Sequence, residues 1–389
     1  MRYWAREKSP RVTETKMRRL VTNLVLALAV TFATALVVAS ARAQDRVVNI
    51  YNWSDYIDPK VLEDFTKETG IKVVYDVFDS NDVLETKLLA GKTGYDVVVP
   101  SQTYMQRLIA AGVFQKLDKS KLPNLKNVWP EIAARLATYD PGNEYGVNYM
   151  WGTTGIGVNV DRMKERLGGA SLDSWDTVFK PEQLAKFTSC GVHVLDAADE
   201  MVPTALRWLG LNPDSKDSGD IEKATAALMK IRPHVRKFHS AEYINALANG
   251  EICLAVGWSG DVLQARTRAR EAAEKTKKKP VNIDYVLPKE GAHMWFDSLA
   301  IPKDAPHVAE AHIFIDYLLR PEVAARNSNA VSYANGNLAS QKFVDKEILE
   351  NRSIYPDAAT MQKLFVSTPY SQQVQRQITR AWTRVKTGR

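Results

Sequence analysis

Along the chain, apolar residues form short β-branched blocks, separated by stretches in which they recur every three or four positions. Val47 to Asn52 is one such block and predicts a buried strand. Its alternation stops at Tyr51-Asn52-Trp53-Ser54-Asp55-Tyr56, so this stretch predicts a strand end turning into a loop. Asp58-Pro59 then opens a helix, with Asp as cap and Pro at the first helical position. Val61, Leu62 and Phe65 form its apolar face and Gly70 ends it. Ile71 to Phe78 predicts the next strand, parallel to the first because a helix joins them. Asn81-Asp82 starts a second helix through Leu84, Leu88 and Leu89, stopped by Gly91. Tyr95 to Pro100 predicts a third buried strand and Ser101 to Ala111 a helix. Ser101 sits where either a binding hydroxyl or a simple loop cap belongs. Leu117 to Val128, polar and Pro-interrupted, predicts a surface connection.

Gly146 to Asn159 is strand-like but rich in glycine and threonine. It predicts a crossing between two lobes, with its glycines absorbing backbone rotation. Gly152, Gly155 and Gly157 do not form a G-x-G-x-x-G dinucleotide pattern. Strand and helix patterns then alternate again. Val192 to Asp196 is a strand, and Ala197 to Leu209 a loop and helix with Glu200 near its start. Asp217 to Ile231 and Ala241 to Asn249 are helices. Ile252 to Gly257 is a buried strand, with Trp258-Ser259-Gly260-Asp261 at its end. Ile283 to Leu287 is a strand, Trp295 to Ile301 combines aromatics with a carboxylate, and Pro302 to Leu319 is a helix. Ser332 to Asn337 is turn-like, and the remainder reads as helical and exposed.

One theme recurs at the strand ends: an aromatic beside an acid, in Trp53/Asp55/Tyr56, Trp258/Asp261 and Trp295/Asp297, with Glu200 and Tyr333 as further candidates. In open α/β sheets, ligands bind just beyond the carboxyl ends of strands. Aromatic faces attract cations, and a carboxylate supplies a full charge to an ammonium. An aromatic slot with acids at both ends suits a ligand with ammonium groups at both ends.

Length adds that 389 residues exceed one ordinary core and suggest two domains. The first 43 residues predict a secretory signal peptide: basic residues, the uncharged run Leu20 to Ser40, then Ala41-Arg42-Ala43 before Gln44. Met17 is an alternative start and a retained anchor an alternative fate, while the absence of cysteine at the cut speaks against a lipoprotein. Residues 1–43 hold eight Lys/Arg and two Glu, so six of the seven net positive charges lie there and about one remains beyond. The basic balance therefore gives no reason to expect nucleic acid or a membrane surface as partner. Lys275 to Lys279 reads as a solvated helix end. Export favours a disulfide between Cys190 and Cys253, with two buried free thiols as the alternative. Catalytic patterns are weak. Gly257-Trp258-Ser259-Gly260 departs from G-x-S-x-G, no H-E-x-x-H occurs, and His234/His239 and His307/His312 are five apart. A carboxylate pair such as Asp55 and Asp261 could mimic a glycosidase.

Taken together, YNWSDYI from Tyr51, YDVVVPS from Tyr95, MWGTTGIGVN from Met150, GWSGD from Gly257, WFDSLAIP from Trp295 and SYANGN from Ser332 closely resemble the periplasmic putrescine/spermidine-binding proteins of bacterial ABC importers. The resemblance runs from Val47 to Arg384. It implies an α/β, two-lobed type II solute-binding fold, each lobe a mixed sheet flanked by helices, with ligand in the interlobe cleft. It further implies residues 44–150 and 293–335 as one lobe and 151–292 and 336–389 as the other. By motif, Trp53 and Tyr56 would line the slot, with Ser54, Asp55 and Ser101 as polar contacts. Glu200, Trp258 and Asp261 would come from the second lobe, and Trp295, Asp297 and Tyr333 would complete the box. Asp261 and Asp297 are the expected ammonium partners. Ala197-Ala198-Asp199 departs from the Pro-Glu-Glu-like run usual before Glu200. The putrescine type also has cysteines at the positions of Cys190 and Cys253, which supports the disulfide. Trp295 resembles the spermidine type, whereas Asp55 and Thr103 resemble the putrescine type, so the ligand stays open between the two, with agmatine as a further possibility. The expectation is a periplasmic monomer that serves a membrane permease, without catalysis, cofactor or metal. A receptor-linked sensor and a secreted hydrolase are the alternatives.

Overall fold

The computed structural model describes residues 46–167 and 172–389. The expected signal peptide lies outside the described residues. No helix among the described residues is long and apolar enough to cross a membrane. Strand β1 (Val47–Trp53) pairs in parallel with β2 (Lys72–Phe78) and with β3 (Val97–Val98). The helix between β1 and β2, Pro59–Thr69, starts where the Asp58 carboxylate accepts from the Lys60 amide at 2.9 Å. It ends at Gly70, whose φ of 68° is the left-handed conformation glycine adopts without a Cβ clash. β3 is shorter than the buried run Tyr95 to Pro100, because its end makes a different bond: the Pro100 carbonyl accepts from the Ser298 amide at 3.1 Å.

The later strands are β4 (Gly146–Asn159), β5 (Val192–Val194), β6 (Lys237–Phe238), β7 (Leu254–Trp258), β8 (Ile283–Val286), β9 (Met294–Ala300) and β10 (Ala334–Asn335). Among the described residues they form one mixed sheet path, β2-β1-β3-β9-β4-β7-β5-β6, with β8 and β10 also on β4. β4 is buried along all 14 residues and changes partner midway. Gly146 to Thr153 pairs antiparallel with β9, and Thr154 to Asn159 with β7 and β8. Two apolar cores meet on it. Val147, Tyr149 and Met150 join a core with Ile50, Phe65, Val97 and Phe314. Trp151, Ile156 and Val158 join a core with Val192, Leu254 and Trp382. β9 divides in the same way, Trp295 and Leu299 to the first, Met294 and Phe296 to the second.

Two expectations change here. The glycines of β4 do not adopt the left-handed region. They are absent side chains that make room for neighbours, rings at two of the four: a Cβ at Gly152 would lie 2.6 Å from the Trp295 ring, and one at Gly155 2.6 Å from Tyr285. The C-terminal helix, Gln372–Thr387, is not exposed all round. Ile378, Ala381, Trp382 and Val385, spaced three and four apart, bury one face, and the Trp382 indole donates to Asp196 at 2.7 Å. Cys190 and Cys253 form a disulfide with a Cα–Cα separation of 5.7 Å, so the free-thiol alternative falls. It ties together the entries to the neighbouring parallel strands β5 and β7.

Candidate functional site

The ends of β1, β7 and β9 open into a cleft of about 660 Å³, its mouth included. Ten expected residues line it: Trp53, Ser54, Tyr56, Ser101, Glu200, Trp258, Asp261, Trp295, Asp297 and Tyr333. The sheet explains their convergence. Trp53 ends β1, Trp258 ends β7, and Trp295 and Asp297 stand on one face of β9, two residues apart. Asp261 falls in the first turn of the Ser259–Thr276 helix, and Tyr333 lies between the Pro321–Val331 helix and β10.

The aromatics form a connected wall. Trp258 meets Trp53 edge-on at 5.5 Å and Trp295 at 6.4 Å, between ring centroids. Tyr333 meets Trp295 at 5.3 Å and Tyr56 at 5.1 Å. Ring faces of this kind hold cations and cover methylene groups.

Two carboxylates are embedded in that wall in the same manner. Asp297 accepts from the Tyr56 hydroxyl at 2.9 Å and the Ser101 hydroxyl at 2.6 Å. Asp261 accepts from Tyr243 at 2.7 Å and Tyr333 at 2.6 Å. Both are buried, and neither has an ion-pair partner among the described residues. Burial pushes each carboxyl up to about 7, against the pull of its hydroxyl donors. Half-buried Asp199 is also pushed up to about 7, by burial and then by the neighbouring Glu200 charge. The cleft thus crowds acids that a cation would stabilise.

The remaining expected residues divide. The Ser101 hydroxyl does not cap the Gln102–Ala110 helix and donates to Asp297 instead. The Ser54 hydroxyl donates to the Phe78 carbonyl at 3.3 Å. Asp55 is not part of the cleft lining. It adopts φ 56° in the tight turn after β1, and the Arg268 guanidinium takes its carboxylate at 2.5 Å. Expected as a polar contact to ligand, it joins helix Ser259–Thr276 to the β1 turn through this pair. Glu200 is present but already engaged, accepting from Thr154 Oγ1 at 2.5 Å and His293 Nδ1 at 2.8 Å.

Sequence reading missed Tyr243, which holds Asp261, and Tyr149, whose hydroxyl donates to the Tyr56 carbonyl at 2.7 Å. No local signal marks either. Tyr104, a lining residue three positions after Ser101 on the same helix face, was open to detection by spacing.

Comparison with known proteins places the chain in a family. A model of the bacterial extracellular solute-binding proteins matches residues 60–353. The chain is 49% identical to a putrescine-binding periplasmic protein of Pseudomonas aeruginosa, over 93% of this chain and 98% of that one. It is 52% identical to a putrescine-binding periplasmic protein of Escherichia coli, over 91% and 95%. Among solved structures, the substrate-binding protein of a spermidine/putrescine ABC transporter from Streptococcus pneumoniae superposes with a TM-score of 0.69 at 30% identity, over 88% of this chain and 99% of that one.

Proposed function

The chain belongs to the bacterial extracellular solute-binding proteins, and from that membership we infer that it is the periplasmic substrate-binding component of a polyamine ABC importer. It takes putrescine or spermidine into the cleft, closes around it and delivers it to a membrane permease. The observation that carries this reading is the matched pair Asp261 and Asp297: buried acids in an aromatic wall, each oriented by two hydroxyls and neither with an ion-pair partner among the described residues. A buried carboxylate without a counter-charge is costly. A diammonium ligand supplies one cation to each, and its methylenes pack on the rings.

Two lobes, 44–150 with 293–335 and 151–292 with 336–389, are proposed to move about β4 and β9. The change of core between Met150 and Trp151 on β4 supports the boundary there. Ligand contacts from both sides then favour the closed arrangement. The protein works as a monomer. It leaves its ligand chemically unchanged, in keeping with relatives that are named as binding proteins.

A thermal-melt panel with putrescine, cadaverine, spermidine, spermine and agmatine tests the function. A ligand that binds only the folded state raises the melting temperature. A rise with at least one polyamine is expected, and no response to any of them contradicts the function.

A further inference from the structure

Beside the cleft lies a side chamber of about 350 Å³, open solvent included, which shares Ser101, Asp199, Glu200 and Trp295 with it. His293 stands in its wall. The position follows from β9: His293 precedes Trp295 by two residues and Asp297 by four, so an extended chain turns all three the same way. Its backbone is fixed, since the His293 carbonyl accepts from the Thr154 amide at 2.9 Å. The imidazole Nδ1–H donates to Glu200 Oε2 at 2.8 Å, and the two side chains are only 4% and 7% exposed. Every element around the imidazole matters to its charge. The Ala198–Trp208 helix brings Glu200 and Asp199, the loop after it brings Asp214, and the Gln102–Ala110 helix brings Arg107. Arg107 is itself paired with Glu85 at 2.8 Å. Burial opposes the imidazolium, but Glu200 foremost and then Asp199 outweigh it and raise the pKa of His293 above its ordinary value.

The chamber also contains unmatched polar atoms. His293 Nε2, Trp295 Nε1 and Ser367 Oγ, all on chamber-lining residues, are buried atoms without a hydrogen-bond partner. An indole N–H and an imidazolium N–H can only donate, and so can an ammonium. An ammonium placed here would leave the indole and imidazolium donors unmatched, bring like charge beside His293, and find Glu200 already neutralised. Water or a neutral acceptor suits the chamber; a further cation does not.

We propose that His293 is a built-in cation that occupies Glu200 and so sets the cleft for ligands with two ammonium groups rather than three. The proposal rests on the polyamine reading above and narrows it to diamines. His293 is then a specificity-determining residue.

The test is calorimetric titration of putrescine and spermidine into the wild-type protein and His293→Gln. Removing the imidazolium releases Glu200 to a third ammonium. The ratio of spermidine to putrescine affinity is expected to rise at least about tenfold. The rise is expected to vanish in the double variant His293→Gln/Glu200→Gln, a dependence that a merely structural role for His293 does not produce. If His293→Gln does not fold, His293→Met carries the same expectation. A ratio within about threefold of wild type in the folded variant overturns the proposal alone. Failure of the wild-type protein to bind either amine overturns the polyamine reading, and this proposal with it.

Discussion

Asp297 is surrounded by hydroxyls, which orient a carboxylate but cannot neutralise it. Asn at this position keeps the shape and the acceptor oxygen and removes the charge. Truncating one partner of a buried charge pair costs about 2–5 kcal/mol. Asp297→Asn is therefore expected to weaken polyamine binding on the order of a hundredfold. Its melting temperature without ligand should not fall, because the lost charge is one that burial disfavours. Equal affinity for wild type and variant, by calorimetry, would reject Asp297 as an ammonium partner. Much of this residue-level picture was legible, because acids and rings at strand ends are local features of the sequence. What was not legible depends on distant partners. Tyr243 is 18 residues from Asp261 and His293 is 93 from Glu200, separations that no spacing rule connects. The pairing of Asp55 was not legible for the same reason, since Arg268 lies 213 residues away.

At the level of elements, type and order were readable, because caps, glycines and β-branched runs are local signals. The Asp58-Pro59 start and the Gly70 stop appear as expected. The purpose of Gly152 and Gly155 in β4 was not readable, because the rings that need the space belong to other strands. Gly260, in the first turn of the Ser259–Thr276 helix, obeys the same rule: an added Cβ would run into the Tyr333 ring. By helix propensity alone, Gly260→Ala should stabilise by up to about 1 kcal/mol. Overpacking costs about 1–3 kcal/mol and here displaces the ring whose hydroxyl holds Asp261. Gly260→Ala is expected to lower both the melting temperature and polyamine affinity. A thermal melt and a titration check this, and a raised melting temperature with unchanged binding would show that the ring contact is unimportant.

Across the whole molecule, two apolar cores share β4 and β9, and the cleft draws its acids from the β9 and β7 sides of that junction. This arrangement couples binding to protons. Folding raises Asp261 and Asp297 from the usual 3.8 to about 7. In the empty protein, the stability linked to this shift is present below pH about 4 and lost as pH rises through about 7. A diammonium ligand needs both carboxyls ionised, so its affinity moves in the opposite sense. Below pH 7 it falls by up to roughly tenfold per pH unit for each carboxyl. Titrating putrescine by calorimetry at about pH 5.5 and 7.5, with proton release followed at about 6.5, therefore probes both acids at once. One-to-one binding at the higher pH, at least about thirtyfold weaker at the lower, with more than one proton released per ligand, is expected if Asp261 and Asp297 each seat an ammonium. Equal affinity at the two pH values without proton release, or no binding at either, would contradict it.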